Sequence, residues 1–357
     1  MVRRALRLLL VLLAAAGILI VAGGFYARAQ VRVSLAHLDG LARVPGLTAD
    51  ARIERDALGI PTIHGRSRED VARALGFVHA QERFFQMDLQ RRQPAGELSA
   101  LVGPRAIEVD EAIRVHRFRD VAHRAFEKTD ASYRRVLEAY AEGVNAGIGA
   151  LKAPPFEYLV LRAVPEPWQP EDSVLTLLAM FNTLQGRQGL FEQTMGAMKD
   201  ALPEPLFRFV ATTGSEWDTP VVGQGTPRPP IPDAGVVDLR NSRMEAPKHP
   251  NTDQLFQDCL EKDGFGISVL PCFRADEAEI IGSNNWAVSA SHSANGAALV
   301  ANDMHLAIGV PIIWYRASLA YPDPLQPDAT HRVTGVTLPG LPSMVVGSNG
   351  DVAWGFT

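Results

Sequence analysis

The stretch that decides the fold reads Gly282-Ser283-Asn284-Asn285-Trp286-Ala287-Val288, and it continues to Ala301-Asn302-Asp303-Met304-His305. Its apolar positions alternate from Trp286 through Val288, a pattern that predicts a strand. The Asn295-Gly296 step predicts a hairpin turn, and residues 297–301 predict the returning strand. We therefore expect Ser283 to stand at the head of a hairpin strand, held beside its partner strand.

The Gly282-Ser283 pair favours one kind of chemistry. If the bond between them breaks, Ser283 becomes a chain N-terminus that carries both a hydroxyl and an α-amine. The reference pKa of such an amine is about 7.7–8.0, so near neutral pH it can accept the hydroxyl proton, directly or through one water. Because Gly282 has no side chain, its carbonyl is open to attack by Ser283 Oγ, and the cut could be self-catalysed. The same residues also fit an ordinary polar turn that leads into a strand.

Composition and charge exclude several classes of protein. The chain has 357 residues, of which 46% are hydrophobic, and its formal net charge is −5. With no basic block outside the N-terminus, we expect no nucleic-acid partner. The two cysteines, Cys259 and Cys272, are too few for a disulfide scaffold and lack metal-ligand spacing. One disulfide between them is the remaining alternative.

The N-terminus predicts export. Three arginines precede an apolar run at residues 8–26, and Ala27 and Ala29 follow it. This layout fits a signal peptide over residues 1–30, and the run is also long enough for an uncleaved membrane anchor. We expect the rest of the chain to be periplasmic or anchored to the outer face of the inner membrane, with no other contact with the membrane.

Periodicity and turn signals predict further elements. Within residues 51–65 they predict a strand, a glycine turn and a second short strand. Between there and residue 215 they predict a helix over 68–89 that begins after Ser67, helices within 109–148, and a helix after Asp172 and Ser173. From residue 215 to residue 282, prolines interrupt the pattern. An irregular connection of this length is expected either to be functional or to be cut out of the chain. After Ser283 the pattern predicts strands at 312–319, 333–337 and 344–347 and a turn at Asn349-Gly350.

Several of these segments resemble one known family. Residues 283–288, 301–306 and 311–315 closely resemble the start of the catalytic chain in the penicillin acylase family. Residues 76–92 resemble the signature helix of its small chain, and residues 156–158 and 165–172 resemble that chain too. The matched motifs extend over roughly residues 52–357. These enzymes are N-terminal-nucleophile hydrolases, made as precursors that cut themselves into two chains.

The resemblance implies the fold and the organisation of the chain. It implies an α+β fold, the αββα sandwich in which antiparallel sheets lie between helical layers, here incomplete because the chain ends early. Residues 31–215 would form the mostly helical small chain, 216–282 a spacer removed on maturation, and 283–357 the strand-rich start of the large chain. The two chains would form a heterodimer.

The resemblance also assigns catalytic roles. Ser283 would be the nucleophile, with its own α-amine as base, and Gly282-Ser283 the cleavage site. His305 would assist beside the nucleophile, whereas Asn302 and Asp303 look structural. The family's oxyanion donors correspond to positions beyond Thr357, so we expect this polypeptide alone to be inactive.

Binding residues are implied less specifically. Met180, Phe181 and Leu184 are candidates for the acyl pocket, with core packing as the alternative for each. Glu192 is the candidate ligand for a structural calcium, with an ordinary solvated glutamate as the alternative, because calcium takes six to eight oxygens. On the signature helix, His79, Gln81, Glu82 and Arg83 are expected to form a hydrogen-bonded framework. No organic cofactor is expected.

The function implied is hydrolysis of a linear amide through a serine acyl-enzyme. The acyl group would belong to a small molecule: a penicillin, a cephalosporin, an acyl-homoserine lactone or a lipopeptide. Two alternatives remain. One is a different hydrolase with a triad or metal site at Asp303 and His305, for which the chain has no Gly-x-Ser-x-Gly or His-Glu-x-x-His motif. The other is a non-catalytic exported binding protein of the envelope on the same scaffold.

Overall fold

The computed structural model describes residues 2–184, 190–212, 214–215, 220, 222–238, 282–306, 308–323 and 329–356. The chain forms two compact units. Met1–Asn182 and Gly282–Thr357 form the first unit, and Thr183–Ile281 forms the second. Cys259, Cys272 and most of the predicted spacer lie outside the described residues, so the predictions made for them stay predictions.

Ten α-helices are present in the described residues. They are α1 (Val2–Val33), α2 (Arg68–Ala95), α3 (Ser99–Val102), α4 (Ile107–Arg114), α5 (Phe118–Lys128), α6 (Ala131–Ala150), α7 (Phe156–Leu161), α8 (Asp172–Leu184), α9 (Leu190–Ala201) and α10 (Glu204–Val210). The stretch Leu9–Val33 of α1 is 25 residues long, and an 18-residue window within it has a mean hydropathy of 2.4. It is therefore long enough to cross a bilayer.

The described residues of the first unit contain eight strands, which form two sheets. The strands are β1 (Arg52–Arg55), β2 (Pro61–His64), β3 (Gly282–Val288), β4 (Leu299–His305), β5 (Tyr315–Pro322), β6 (Thr330–Thr337), β7 (Met344–Ser348) and β8 (Ala353–Trp354). One sheet has the order β1-β2-β5-β6-β7-β8, and the other is the β3-β4 hairpin. All neighbours are antiparallel except β2 and β5, which pair in parallel. This mixture of helices and sheets confirms the predicted α+β class.

Helix α2 forms the centre of the first unit. It begins where predicted, because Ser67 Oγ accepts the Asp70 N–H at 3.1 Å and so caps the first turn. Its apolar side chains pack with residues of β2 and β5 into one core. Leu75 and Met87 are fully buried there. The helix layer therefore lies against the six-stranded sheet.

Glycines let α2 and α6 approach each other closely. A Cβ on Gly143 would lie 1.9 Å from the Arg73 carbonyl oxygen of α2, and a Cβ on Gly76 would lie 2.3 Å from the Tyr140 carbonyl oxygen of α6. A Cβ on Gly147 would lie 2.5 Å from the Phe77 carbonyl oxygen. The two helices are thus in direct backbone contact, at a distance that only glycine permits.

A buried hydrogen-bonded chain joins these helices to the sheet. Thr337 Oγ1 donates to the Tyr315 carbonyl at 3.1 Å and lies 3.0 Å from His79 Nε2, so it accepts a hydrogen bond from the Nε2–H group. Nδ1 of His79 is then the acceptor for the Tyr140 hydroxyl, 2.8 Å away. That hydroxyl in turn accepts the Gly340 N–H at 2.9 Å. His79 is therefore held as the neutral Nε2–H tautomer, in the framework role predicted for it.

Two further framework residues of α2, Glu82 and Arg83, bind the sheet or the residues just before it. Glu82 pairs with Arg55 of β1 and accepts the Tyr315 hydroxyl at 2.9 Å. Arg83 donates to the Ile312 carbonyl at 2.8 Å, just before β5. Since this carbonyl binds a side chain, the strand predicted from residue 312 begins three residues later, at Tyr315.

Asp172 has a larger role than the predicted helix cap. Its carboxylate accepts the Gln169 N–H at 2.8 Å, and it also pairs with Arg91 and Arg119, each at 2.7 Å. Arg91 reaches Asp88 of its own helix as well, at 2.8 Å. This buried network ties the start of α8 to α2 and α5.

The glycine contacts give a stability prediction. Gly143→Ala forces α6 away from α2, and we expect it to lower the free energy of unfolding by about 1–3 kcal/mol. Gly149→Ala is the matched control, because nothing lies within 4 Å of a Cβ at that position of the same helix. Helix propensity should make this control neutral or up to about 1 kcal/mol more stable. Guanidinium titrations measure both changes, and equal effects would contradict the close approach.

The burial of His79 predicts how stability depends on pH. Loss of solvation, together with the nearby Arg83 charge, lowers its pKa from 6.5 to about 3. Between these values the unfolded chain binds a proton that the folded chain does not, so stability is full above pH 6.5 and falls as the pH drops toward 3. From pH 7.5 to 5.0 the loss due to this residue is about 2 kcal/mol.

Urea titrations of the native protein and His79→Gln at pH 7.5 and pH 5.0 measure this loss. We expect the variant to be less stable at pH 7.5 and to lose about 2 kcal/mol less than the native protein on acidification. The same loss in both proteins would show that His79 is not held neutral.

Candidate active site

The β3-β4 hairpin sets the position of the candidate nucleophile. Ser283 is the second residue of β3 and pairs with Met304 of β4, while Gly282 pairs with His305. The sequence predicted this hairpin, although its connection also contains a 3-10 turn at Ala290–His292. The predicted cleavage pair Gly282-Ser283 is therefore in extended backbone, fixed in register against a second strand.

The hairpin has two different faces. Directly opposite residues of an antiparallel pair share a face, and successive residues alternate. Ser283 and Met304 accordingly share one face with Asn285 and Asn302, and these four residues are half-buried. Asn284, Asp303 and His305 lie on the other face and are exposed.

His305 is held by an acidic neighbour. Its Nε2 lies 2.9 Å from Asp303 Oδ2 and 3.5 Å from Asn284 Nδ2. The carboxylate two residues earlier on the same strand thus orients the ring. The backbone of His305 lies beside the Gly282-Ser283 bond, whereas its ring is on the face opposite to the Ser283 side chain.

Asn302 connects the hairpin to a distant segment. Its Nδ2 donates to the Asn284 carbonyl at 2.8 Å and to the Phe356 carbonyl at 2.7 Å. Its Oδ1 accepts the Phe356 N–H at 3.2 Å. Sequence analysis predicted only a structural role for Asn302, because nothing in the sequence pairs it with a residue so far along the chain.

The predicted pocket residues lie at the end of α8. Met180 is half-buried, whereas Phe181 and Leu184 are exposed to 52% and 47%. Phe181 packs edge-on against Phe118, with ring centroids 6.3 Å apart. Two cavities among the described residues are lined by other side chains, and both include Arg92 and Glu166. A pocket role for the three residues stays a prediction.

The predicted calcium ligand lies in the second unit. Glu192 is exposed in the first turn of α9. In the part of the chain that the structure describes, no three His, Cys, Asp or Glu side chains come together to hold a metal ion. The role of Glu192 as a calcium ligand stays a prediction.

Comparison with known proteins now identifies the family. A family model described as penicillin amidase matches residues 50–357. The chain belongs to the penicillin amidase family. This membership confirms the resemblance seen in the sequence and, with the mixed architecture, the predicted fold class.

Individual members of the family match most of the chain. The chain is 31% identical over 330 residues to the penicillin acylase 2 proenzyme of Pseudomonas sp. strain SE83, which covers 92% of this chain and 38% of that relative. It is 29% identical over 327 residues to the acyl-homoserine lactone acylase QuiP of Pseudomonas aeruginosa, covering 91% of this chain and 35% of that relative. The chain thus spans little more than a third of the length of these curated relatives.

A solved structure is also similar. A thermostable penicillin G acylase from Alcaligenes faecalis matches with 21% identity and a TM-score of 0.40, covering 50% of this chain and 98% of that one.

Proposed function

We propose that this protein is an exported, self-processing amidohydrolase with Ser283 as its nucleophile. The observation that carries the proposal is the Gly282-Ser283 pair at the head of β3, in register with β4, in a member of the penicillin amidase family. One relative is named a proenzyme, which supports a precursor that is cut into two chains. These two chains would remain together as a heterodimer.

Maturation begins at the Gly282 carbonyl. Ser283 Oγ attacks this carbonyl carbon, the Gly282–Ser283 C–N bond breaks, and the acyl group of Gly282 passes to the serine oxygen as an ester. The α-amine of Ser283 takes up the proton and becomes free. Water then hydrolyses the ester, which leaves a carboxylate on Gly282 and a free hydroxyl on Ser283.

Hydrolysis of the substrate uses the same serine. Its α-amine, with a reference pKa of about 7.7–8.0, takes the hydroxyl proton as Oγ attacks the amide carbonyl. The amine then returns the proton to the leaving nitrogen, and the acyl group stays on Oγ as an ester. Water, deprotonated by the same α-amine, releases the acid and regenerates the serine.

We assign His305 a positioning role in this scheme. The support is its pairing with Gly282 and the hydrogen bond from its ring to Asp303 at 2.9 Å. Because the His305 ring and the Asp303 carboxylate are bonded to each other, this end of β4 keeps its conformation when the Gly282–Ser283 bond is cut. The residue would thus hold the new N-terminus in line with the substrate carbonyl.

The proposed substrates share an acyl chain joined to an amine by a linear amide. Relatives are named for penicillins and for acyl-homoserine lactones, and we propose these classes together with cephalosporins and lipopeptides. The apolar helix α1 supports an enzyme that acts outside the inner membrane. Calcium, with Glu192 as one ligand, stays part of the proposal.

The proposal can be tested on the protein made from its complete reading frame. The measurement is the release of the amine product from benzylpenicillin, from a glutaryl-cephalosporin and from a long-chain acyl-homoserine lactone. We expect at least one substrate to be hydrolysed, and Ser283→Ala to lower that activity at least about 10³-fold. Ser291→Ala, the same substitution at an exposed position of the same hairpin connection, should leave it unchanged.

Peptide mapping after a short reaction should find one acyl group on the peptide that starts with Ser283. Full activity in Ser283→Ala, or an acyl group on another residue, would refute the assignment. Binding of a substrate without any hydrolysis by the native protein would favour the envelope binding protein instead.

A further inference from the structure

The Asn302 side chain acts on Phe356 as a neighbouring strand would. Its amide donates to the Phe356 carbonyl at 2.7 Å and accepts the Phe356 N–H at 3.2 Å. These are the two bonds that a backbone partner forms in an antiparallel pair. Asn302 thereby attaches the segment after β8 to the hairpin, although β8 belongs to the other sheet.

The second amide proton of Asn302 binds next to the candidate nucleophile. It reaches the carbonyl of Asn284, the residue that follows Ser283, at 2.8 Å. Both donors and the acceptor of this amide are therefore in use. One planar side chain fixes the distance between the backbone of Asn284, the residue after Ser283, and the backbone of Phe356.

Gly355 is shaped for this contact. A Cβ at this position would lie 2.8 Å from Asn302 Oδ1 and 2.9 Å from Asn302 Cγ, so any larger residue pushes the amide away. On the other side of Gly355, the Trp354 indole N–H donates to the Val345 carbonyl of β7 at 3.1 Å. The segment is thus held from both sides, by β7 and by Asn302.

We propose that Asn302 is a positioning residue for amide hydrolysis, which sets the backbone of residues 355–356 against Ser283. The proposal rests on the proposed function of Ser283. Attack by the serine requires the substrate carbonyl and the dipoles around it to be placed accurately. A shift of about 1 Å can lower the rate about 10²-fold. Loss of the amide frees the Gly355-Phe356 backbone to move away from the nucleophile.

Asn302→Asp tests this with little change in shape. The carboxylate presents oxygens to the Asn284 and Phe356 carbonyls in place of the two donors, so it repels both. We expect kcat per titrated active site to fall about 10²-fold, with KM within about threefold of the native value. Asn302→Ala, which removes the amide without adding charge, should lower kcat in the same way.

Asn295→Asp is the matched control. Asn295 is exposed in the turn of the same hairpin, where its oxygen accepts the Ala297 N–H at 3.2 Å, a bond that Asp can also form. This change adds the same charge and should leave kcat and KM unchanged. Active sites are counted by stoichiometric acylation, so misfolded protein does not affect kcat per site. If Asn302 had only a structural role, its loss would reduce the number of active sites and leave kcat per site unchanged.

Gly355→Ala gives an independent measurement. Alone it should lower kcat, because its Cβ displaces the Asn302 amide. Combined with Asn302→Ala it should add little further loss, and additive losses would overturn the proposal. If Asn302→Asp has the native kcat per site while Ser283→Ala is inactive, the role of Asn302 is refuted and the role of Ser283 stands. Activity in Ser283→Ala would refute both.

Discussion

The backbone contact between α2 and α6 is the constraint on which the first unit depends. Since Gly76 and Gly143 bring the two helices together, His79 of α2 and Tyr140 of α6 lie within one hydrogen bond of each other. The pair can then bind Thr337 and Gly340 at the end of β6 and beyond it. These four residues add neutral hydrogen bonds between the sheet and the helices, and all of these bonds are satisfied without a charge on His79.

The candidate site is built outward from that fixed sheet. Strands β7 and β8 carry the chain to Phe356, where Asn302 ties it to the hairpin that holds Ser283. A serine nucleophile needs such rigid surroundings, because the catalytic gain from orientation is lost when reacting groups move by an ångström. The amide side chain of Asn302 supplies a strand-like connection where the two sheets are not paired.

Local sequence signals predicted the elements better than their partners. Ser67 and the apolar face of α2 identified that helix, and the Asn-Gly steps identified both hairpin turns. The parallel pairing of β2 with β5 joins residues such as Thr62 and Ser318, which no local pattern connects. The bonds of Asn302 to Phe356 and of Arg83 to Ile312 were missed for the same reason, since each depends on the assembled fold.

The most direct test of the account is the intact mass of the native protein, made from its complete reading frame, beside that of Ser283→Ala. We expect two chains from the native protein, the second beginning at Ser283, and an uncut chain from the variant. A native protein that stays whole while it hydrolyses amides would contradict the account, because Ser283 would then have no free α-amine.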